Sequence, residues 1–132
     1  MHRGLVVVLV LLLPALAGAA PPDGDAAGDV ERGRALVADR SASLCALCHA
    51  VPGVPAHLQG NLAPSLAGVG ARLDTSRLRA QLVEPRRLNP EAIMPGYRTT
   101  EGLNRVAEAW AGRPIFSAQQ VEDVVAYLQT LR

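Results

Sequence analysis

Two cysteines and a histidine within five consecutive residues, Cys45-Ala46-Leu47-Cys48-His49, constrain this chain more than any other stretch of it. The 132-residue sequence holds no other cysteine, so these thiols close on each other, bind a metal or react with a cofactor. A redox dithiol of the thioredoxin kind wants a strand-helix-strand setting, which is not visible here. Zinc wants a second ligand pair, and only His57 remains in the mature chain as a spare nitrogen donor. The spacing C-x-x-C-H is instead the attachment signature of a c-type haem. Two intervening residues let both thiols reach the vinyl groups along one porphyrin edge as thioethers. The adjacent histidine then falls beneath the iron as an axial ligand.

Residues 1–20 read as an address. Met1-His2-Arg3 leads into the apolar run Leu5 to Leu13 and then into Ala15-Leu16-Ala17-Gly18-Ala19-Ala20. That is the layout of a secretory signal peptide, with cleavage expected after Ala19 because Pro21 follows Ala20 directly. The apolar run is far shorter than the ~20 residues a membrane-spanning helix needs, so the mature form is expected to have no membrane span. Export to the periplasm would place the thiols in oxidising surroundings, where a lone pair normally forms a disulfide; the neighbouring histidine argues for haem. The expected organisation is a signal peptide over 1–19, a linker over 20–28 and one domain over 29–132.

All 13 basic residues are arginine, scattered among 12 acids, and loss of Arg3 leaves the mature side-chain charge balanced. A nucleic-acid partner is therefore not expected, since such binders concentrate positive charge on one face. Aromatic residues make up 3% of the chain, so a modest core would gain from a cofactor. With Met1 removed, Met94 is the remaining thioether. It lies in Asn89-Pro90-Glu91-Ala92-Ile93-Met94-Pro95-Gly96-Tyr97, where the prolines exclude regular helix. A lone Met is ordinarily a core filler; beside a haem motif it is the expected sixth iron ligand. His57 is the rival, but it follows His49 too closely to reach the other haem face without a long detour. In Asn61-Leu62-Ala63-Pro64-Ser65-Leu66-Ala67-Gly68 the Pro64 carbonyl is the expected acceptor for the His49 N–H turned away from iron, a bond that fixes the imidazole. Arg72, Tyr97 and Trp110 have the chemistry to bond a haem propionate, and a solvated arginine or a core aromatic is equally expected at each. No nucleophile and base pair stands out, so no catalytic residue is assigned.

Asp25 to Ala38 is expected to be helical, with Asp25 or Asp29 as its cap and Val30, Gly33, Leu36 and Val37 near one face. Ser117-Ala118-Gln119-Gln120 is a capping box ahead of the stripe Val121, Val124, Val125 and Leu128, which Tyr127 borders. The terminal helices are expected to cross, with Gly33 making room for Tyr127 or a neighbour. Between them a helix runs from the Asp74-Thr75-Ser76 cap to Glu84, with Leu78 and Leu82 inward and Pro85 as its stop. No segment alternates as a strand. The result is an all-α chain of short helices and long loops, which need a surface to line.

Gly28-Asp29-Val30-Glu31-Arg32-Gly33, the C-x-x-C-H box, the Pro64 loop, Met94 and the closing helix together resemble class I cytochromes c along the whole mature chain. More narrowly, they resemble the SoxX family, the small monohaem subunits of SoxAX cytochromes. The residues that carry this are Asn89-Pro90 through Met94-Pro95, Glu101-Gly102-Leu103-Asn104-Arg105-Val106-Ala107, Gly112-Arg113-Pro114-Ile115 and Val121 through Leu128. Ala63 stands where glycine often precedes the loop proline, and Ser43-Leu44 replaces a common Gly-Asn; neither change removes a ligand. The resemblance implies a class I cytochrome c fold around one covalent haem c, held by Cys45 and Cys48 with His49 and Met94 on iron. It implies a SoxA-like haem subunit as heterodimer partner, with catalysis on that subunit. Such pairs join thiosulfate to a cysteine of the SoxYZ carrier, and this subunit would relay the electrons to a downstream cytochrome acceptor. A free-standing electron shuttle is the alternative; a peroxidase or gas sensor with an open iron is a third reading.

Overall fold

Asp29 opens helix α1 (Val30–Ala38) as its cap: its carboxylate accepts the Arg32 N–H at 2.8 Å. Of the two acids available as caps, it is the later one that serves. The computed structural model describes residues 27–132, so the expected signal peptide over 1–19 and most of the expected linker over 20–28 lie outside the described residues. Four more helices follow, α2 (Cys45–Cys48), α3 (Val69–Arg72), α4 (Thr75–Val83) and α5 (Ala118–Thr130), with single 3-10 turns at Ala56–Leu58, Pro85–Arg87 and Glu108–Trp110. Among the described residues there is no strand, only a lone bridge between His49 and Ala63. No helix among them is long and apolar enough to cross a membrane.

Local chemistry sets the helix ends. Asp74 accepts the Arg77 N–H at 2.7 Å to open α4, which stops before Pro85. Ser117 and Gln120 exchange both bonds of a capping box at the start of α5. The α5 stripe Val121, Val124, Val125 and Leu128 is buried together with Tyr127, facing Val37 of α1 and Leu78 and Leu82 of α4.

α1 and α5 cross at touching distance. A Cβ placed on Gly33 would sit 1.9 Å from the Asp123 carbonyl oxygen and 2.9 Å from the Tyr127 Cβ, so only a glycine allows this approach. The crossing is locked by the buried carboxylate of Asp123, which accepts the Asp29 N–H at 2.8 Å, a two-pronged Arg32 guanidinium at 2.8 and 2.9 Å, and the Gln119 amide at 2.9 Å. Arg79 makes a similar fork to Glu122, at 2.6 and 2.7 Å, tying α4 to α5.

Burial pushes the Asp123 carboxyl up, but the bonds from Arg32, the Asp29 amide and Gln119 outweigh it and leave it below the ordinary aspartate value. A carboxyl depressed in the folded state adds stability above its unfolded pKa and loses it as pH falls through the folded one. The urea midpoint should therefore fall as pH drops below about 4, and Asp123→Asn, weaker at neutral pH, should lose less over the same interval. An equal slope in both proteins would mean that the clamp does not titrate.

Candidate cofactor site

The motif turn α2 begins on an unusual backbone. Leu44 has φ 64°, in the left-handed region, and projects with 41% of its surface exposed. Ser43 before it is fully buried; its hydroxyl donates to the Asp39 carbonyl at 3.1 Å and accepts the Cys45 N–H at 3.2 Å. This explains one departure and exposes the cost of the other: serine replaces glycine here as a hydrogen-bonding hub, whereas leucine is strained where asparagine would not be. Leu44→Asn should stabilise the holoprotein by about 1 kcal/mol, read as a higher urea midpoint; a lower midpoint would mean that leucine's contacts outweigh the strain.

Cys45 is buried and Cys48 half-buried, and the two are not joined to each other. Downstream, the loop is stitched along the motif by Gly60 N–H to the Ala46 carbonyl at 2.8 Å, Ala63 N–H to Cys48 at 2.9 Å and Leu66 N–H to Ala50 at 2.9 Å. That lacing carries the Pro64 carbonyl to 2.6 Å from His49 Nδ1. With Nδ1 as the donor, Nε2 keeps its lone pair for another partner. Met94 reaches the same cleft from the loop after Pro85–Arg87, and the Gln81 side-chain amide donates to its sulfur at 3.6 Å.

Cys45, Cys48, His49 and Met94 line one cavity of about 280 Å³ whose other walls include Val37, Leu82, Val124 and Leu128. A second lobe of about 410 Å³ shares His49, Met94, Leu66, Leu82 and Leu128 and continues past Pro64 to Arg72. Two cysteine sulfurs, an oriented imidazole and a thioether around an apolar cleft fit a haem, which would take the space between them. Zinc has no such setting: no group of three or more His, Cys, Asp or Glu among the described residues is placed to hold a metal ion.

His57 sits exposed on the 3-10 turn Ala56–Leu58 and lines neither lobe. The Arg72 guanidinium donates to the carbonyls of Ala67 at 2.7 Å and Ser65 at 3.0 Å. Trp110 is exposed under the Arg113 guanidinium, 5.8 Å from the ring centroid. Tyr97 is buried with its hydroxyl on the Ser43 carbonyl at 2.5 Å, so that proton is already committed. Burial raises its phenol far above the ordinary value, keeping it protonated. Sequence reasoning missed Ser43 and Gln81. Gln81 had a visible signal, a polar residue flanking the inward pair Leu78 and Leu82; Ser43 had none.

Short helices closed by crossed termini around a cleft that carries C-x-x-C-H and a loop methionine define a class I cytochrome c. The chain belongs to the cytochrome c family, whose family model matches residues 30–132. It is accordingly an electron-transfer protein that carries covalent haem c. Among solved structures it is similar to a chain of the crystal structure of SoxXA from P. pantotrophus, with 30% identity over 81% of this chain and 84% of that one and a TM-score of 0.73. Together these likenesses make it a SoxX-like monohaem cytochrome. No curated protein sequence matches the chain.

Proposed function

We propose that this chain is the electron-transfer subunit of a periplasmic SoxAX-type complex, with Cys45 and Cys48 as the thioether attachments, His49 and Met94 as axial ligands and Pro64 as the acceptor that orients His49. When bound, the haem supplies one-electron chemistry between ferric and ferrous iron. The chain's own residues do the rest. Pro64 holds the imidazole through Nδ1, Met94 brings a thioether that favours ferrous iron, and Val37, Leu82, Val124 and Leu128 keep water from the cleft. The observation that carries the reading is that His49 and Met94 line the same cavity. Two such donors leave no open position for a substrate, so the site stores an electron.

Joining thiosulfate to a carrier thiol forms a sulfur–sulfur bond and releases one proton and two electrons. In this reading the bond forms on the SoxA-like subunit and the carrier is SoxYZ, while this subunit accepts electrons and hands them to a downstream cytochrome. The likeness to SoxXA supports the partner. A surface feature also favours a partnered subunit over a free shuttle: Leu103, Val106 and Trp110 remain exposed and converge on one cavity of about 660 Å³ beside Met94, and such apolar clusters mark contact surfaces.

Mass spectrometry and size exclusion of the protein from its native periplasm test the proposal together. The expected result is a chain beginning at Ala20, heavier by one haem, co-eluting with a larger haem protein. A haem-bearing chain that elutes alone supports the free-standing shuttle. An apoprotein overturns both.

A further inference from the structure

Before Tyr97, the loop that carries Met94 meets the rest of the protein through two long side-chain bonds, Arg86 to the Ala92 carbonyl at 3.4 Å and the Gln81 amide to the Met94 sulfur at 3.6 Å. Ile93 beside it is 75% exposed, and the stretch has no regular secondary structure. Its firm point is Tyr97, 2% exposed. There the backbone N–H donates to the Leu82 carbonyl at 2.8 Å and the carbonyl accepts the Phe116 N–H at 3.0 Å. The ring stacks on Phe116 with centroids 4.5 Å apart and planes 28° apart. The hydroxyl crosses to the other half of the site, donating to the Ser43 carbonyl at 2.5 Å and lying 3.6 Å from Cys45 Sγ. This bond joins the segment bearing the thioether donor to the segment bearing the first haem-attachment cysteine, by a route that does not pass through the cofactor.

We infer that Tyr97 is a positioning residue for Met94: through the Ser43 carbonyl its hydroxyl pins the methionine loop to the attachment loop, so that the thioether stays poised over the cofactor when it lets go. A tethered donor returns at high effective concentration. An external ligand must compete with that return, and loosening the tether favours the competitor. The inference rests on Met94 as the sixth ligand.

The test is titration of imidazole into the ferric holoprotein of wild type, Tyr97→Phe and Gly53→Ala. Tyr97→Phe keeps the ring and its stack but removes the tether. It should retain the charge-transfer band of ferric thioether ligation and bind imidazole about tenfold more tightly, the equivalent of one hydrogen bond. Gly53→Ala, destabilised by backbone strain at a position that lines neither lobe of the cleft, should bind imidazole as wild type does, which separates positioning from general softening. Affinity in Tyr97→Phe within about twofold of wild type overturns the inference. Hydrogen exchange on the wild-type imidazole adduct tests it without any variant. The Tyr97 and Phe116 amides, both hydrogen-bonded, should stay as protected as in the free protein; collapse at Tyr97 also overturns it. If the wild type lacks the thioether band and Met94→Ala leaves imidazole binding unchanged, the ligand assignment itself has failed, and this inference falls with it.

Discussion

Replacing Met94 with alanine should raise the affinity of the reduced protein for carbon monoxide by about a hundredfold or more. A ligand that binds only the open form is weakened by the fraction of time that form exists, so a thioether in place about 99% of the time costs the competitor two decades. Removing Met94 removes that competition, because the other sulfurs lining the cleft, Cys45 and Cys48, belong to the attachment motif, and His57 lies outside it. The ferric charge-transfer band should vanish with the thioether, and the reduction potential should fall because ferrous iron loses the donor that favours it. Haem content should not change, since the thioether attachments at Cys45 and Cys48 are untouched. A variant that keeps the band and resists carbon monoxide as wild type does would show that another residue ligates the iron.

That Cys45, Cys48, His49 and Met94 would line one cleft was largely legible in the sequence, because haem attachment chemistry requires contiguity. Two thiols that share one porphyrin edge and a histidine beneath it must be close along the chain, and elimination among two methionines pointed to Met94. Helix ends were legible for the same reason: the bonds of Asp29, Asp74 and Ser117 are made to amides three residues on. Gly33 was readable through its cost, since a glycine inside a helix calls for a close neighbour, although which backbone atom it meets depends on the crossing. What stayed hidden depends on chain closure. Tyr97 reads as an aromatic available to a propionate, and its bond to Ser43, 54 residues away, has no signature in either residue's surroundings. The segment from Thr99 to Arg113 has no periodicity, being mostly exposed and without long helix, so the convergence of Leu103, Val106 and Trp110 emerges only in three dimensions.

Gly33→Ala should cost about 3 kcal/mol or more, although alanine is the better helix former by roughly 0.5–1 kcal/mol. Crowding wins because the added carbon has nowhere to go. Its nearest neighbour is the Asp123 carbonyl oxygen at 1.9 Å, part of the backbone of α5 rather than the end of a flexible side chain. Relief requires α1 and α5 to part by an ångström or so, and that movement draws the Asp29 amide and the Arg32 guanidinium off a buried carboxylate. The packing loss and the clamp loss are therefore coupled, and a melting temperature lower by on the order of 10 °C is expected. Gly53→Ala supplies the contrast: Gly53 has φ +82° but nothing within 4 Å of the added carbon, so it reports backbone strain alone, about 1 kcal/mol. Urea midpoints of the two variants, each with its haem retained, separate crowding from strain. Equal costs would mean that the terminal helices can part freely at their crossing, and that the fold around the cleft is not held by it.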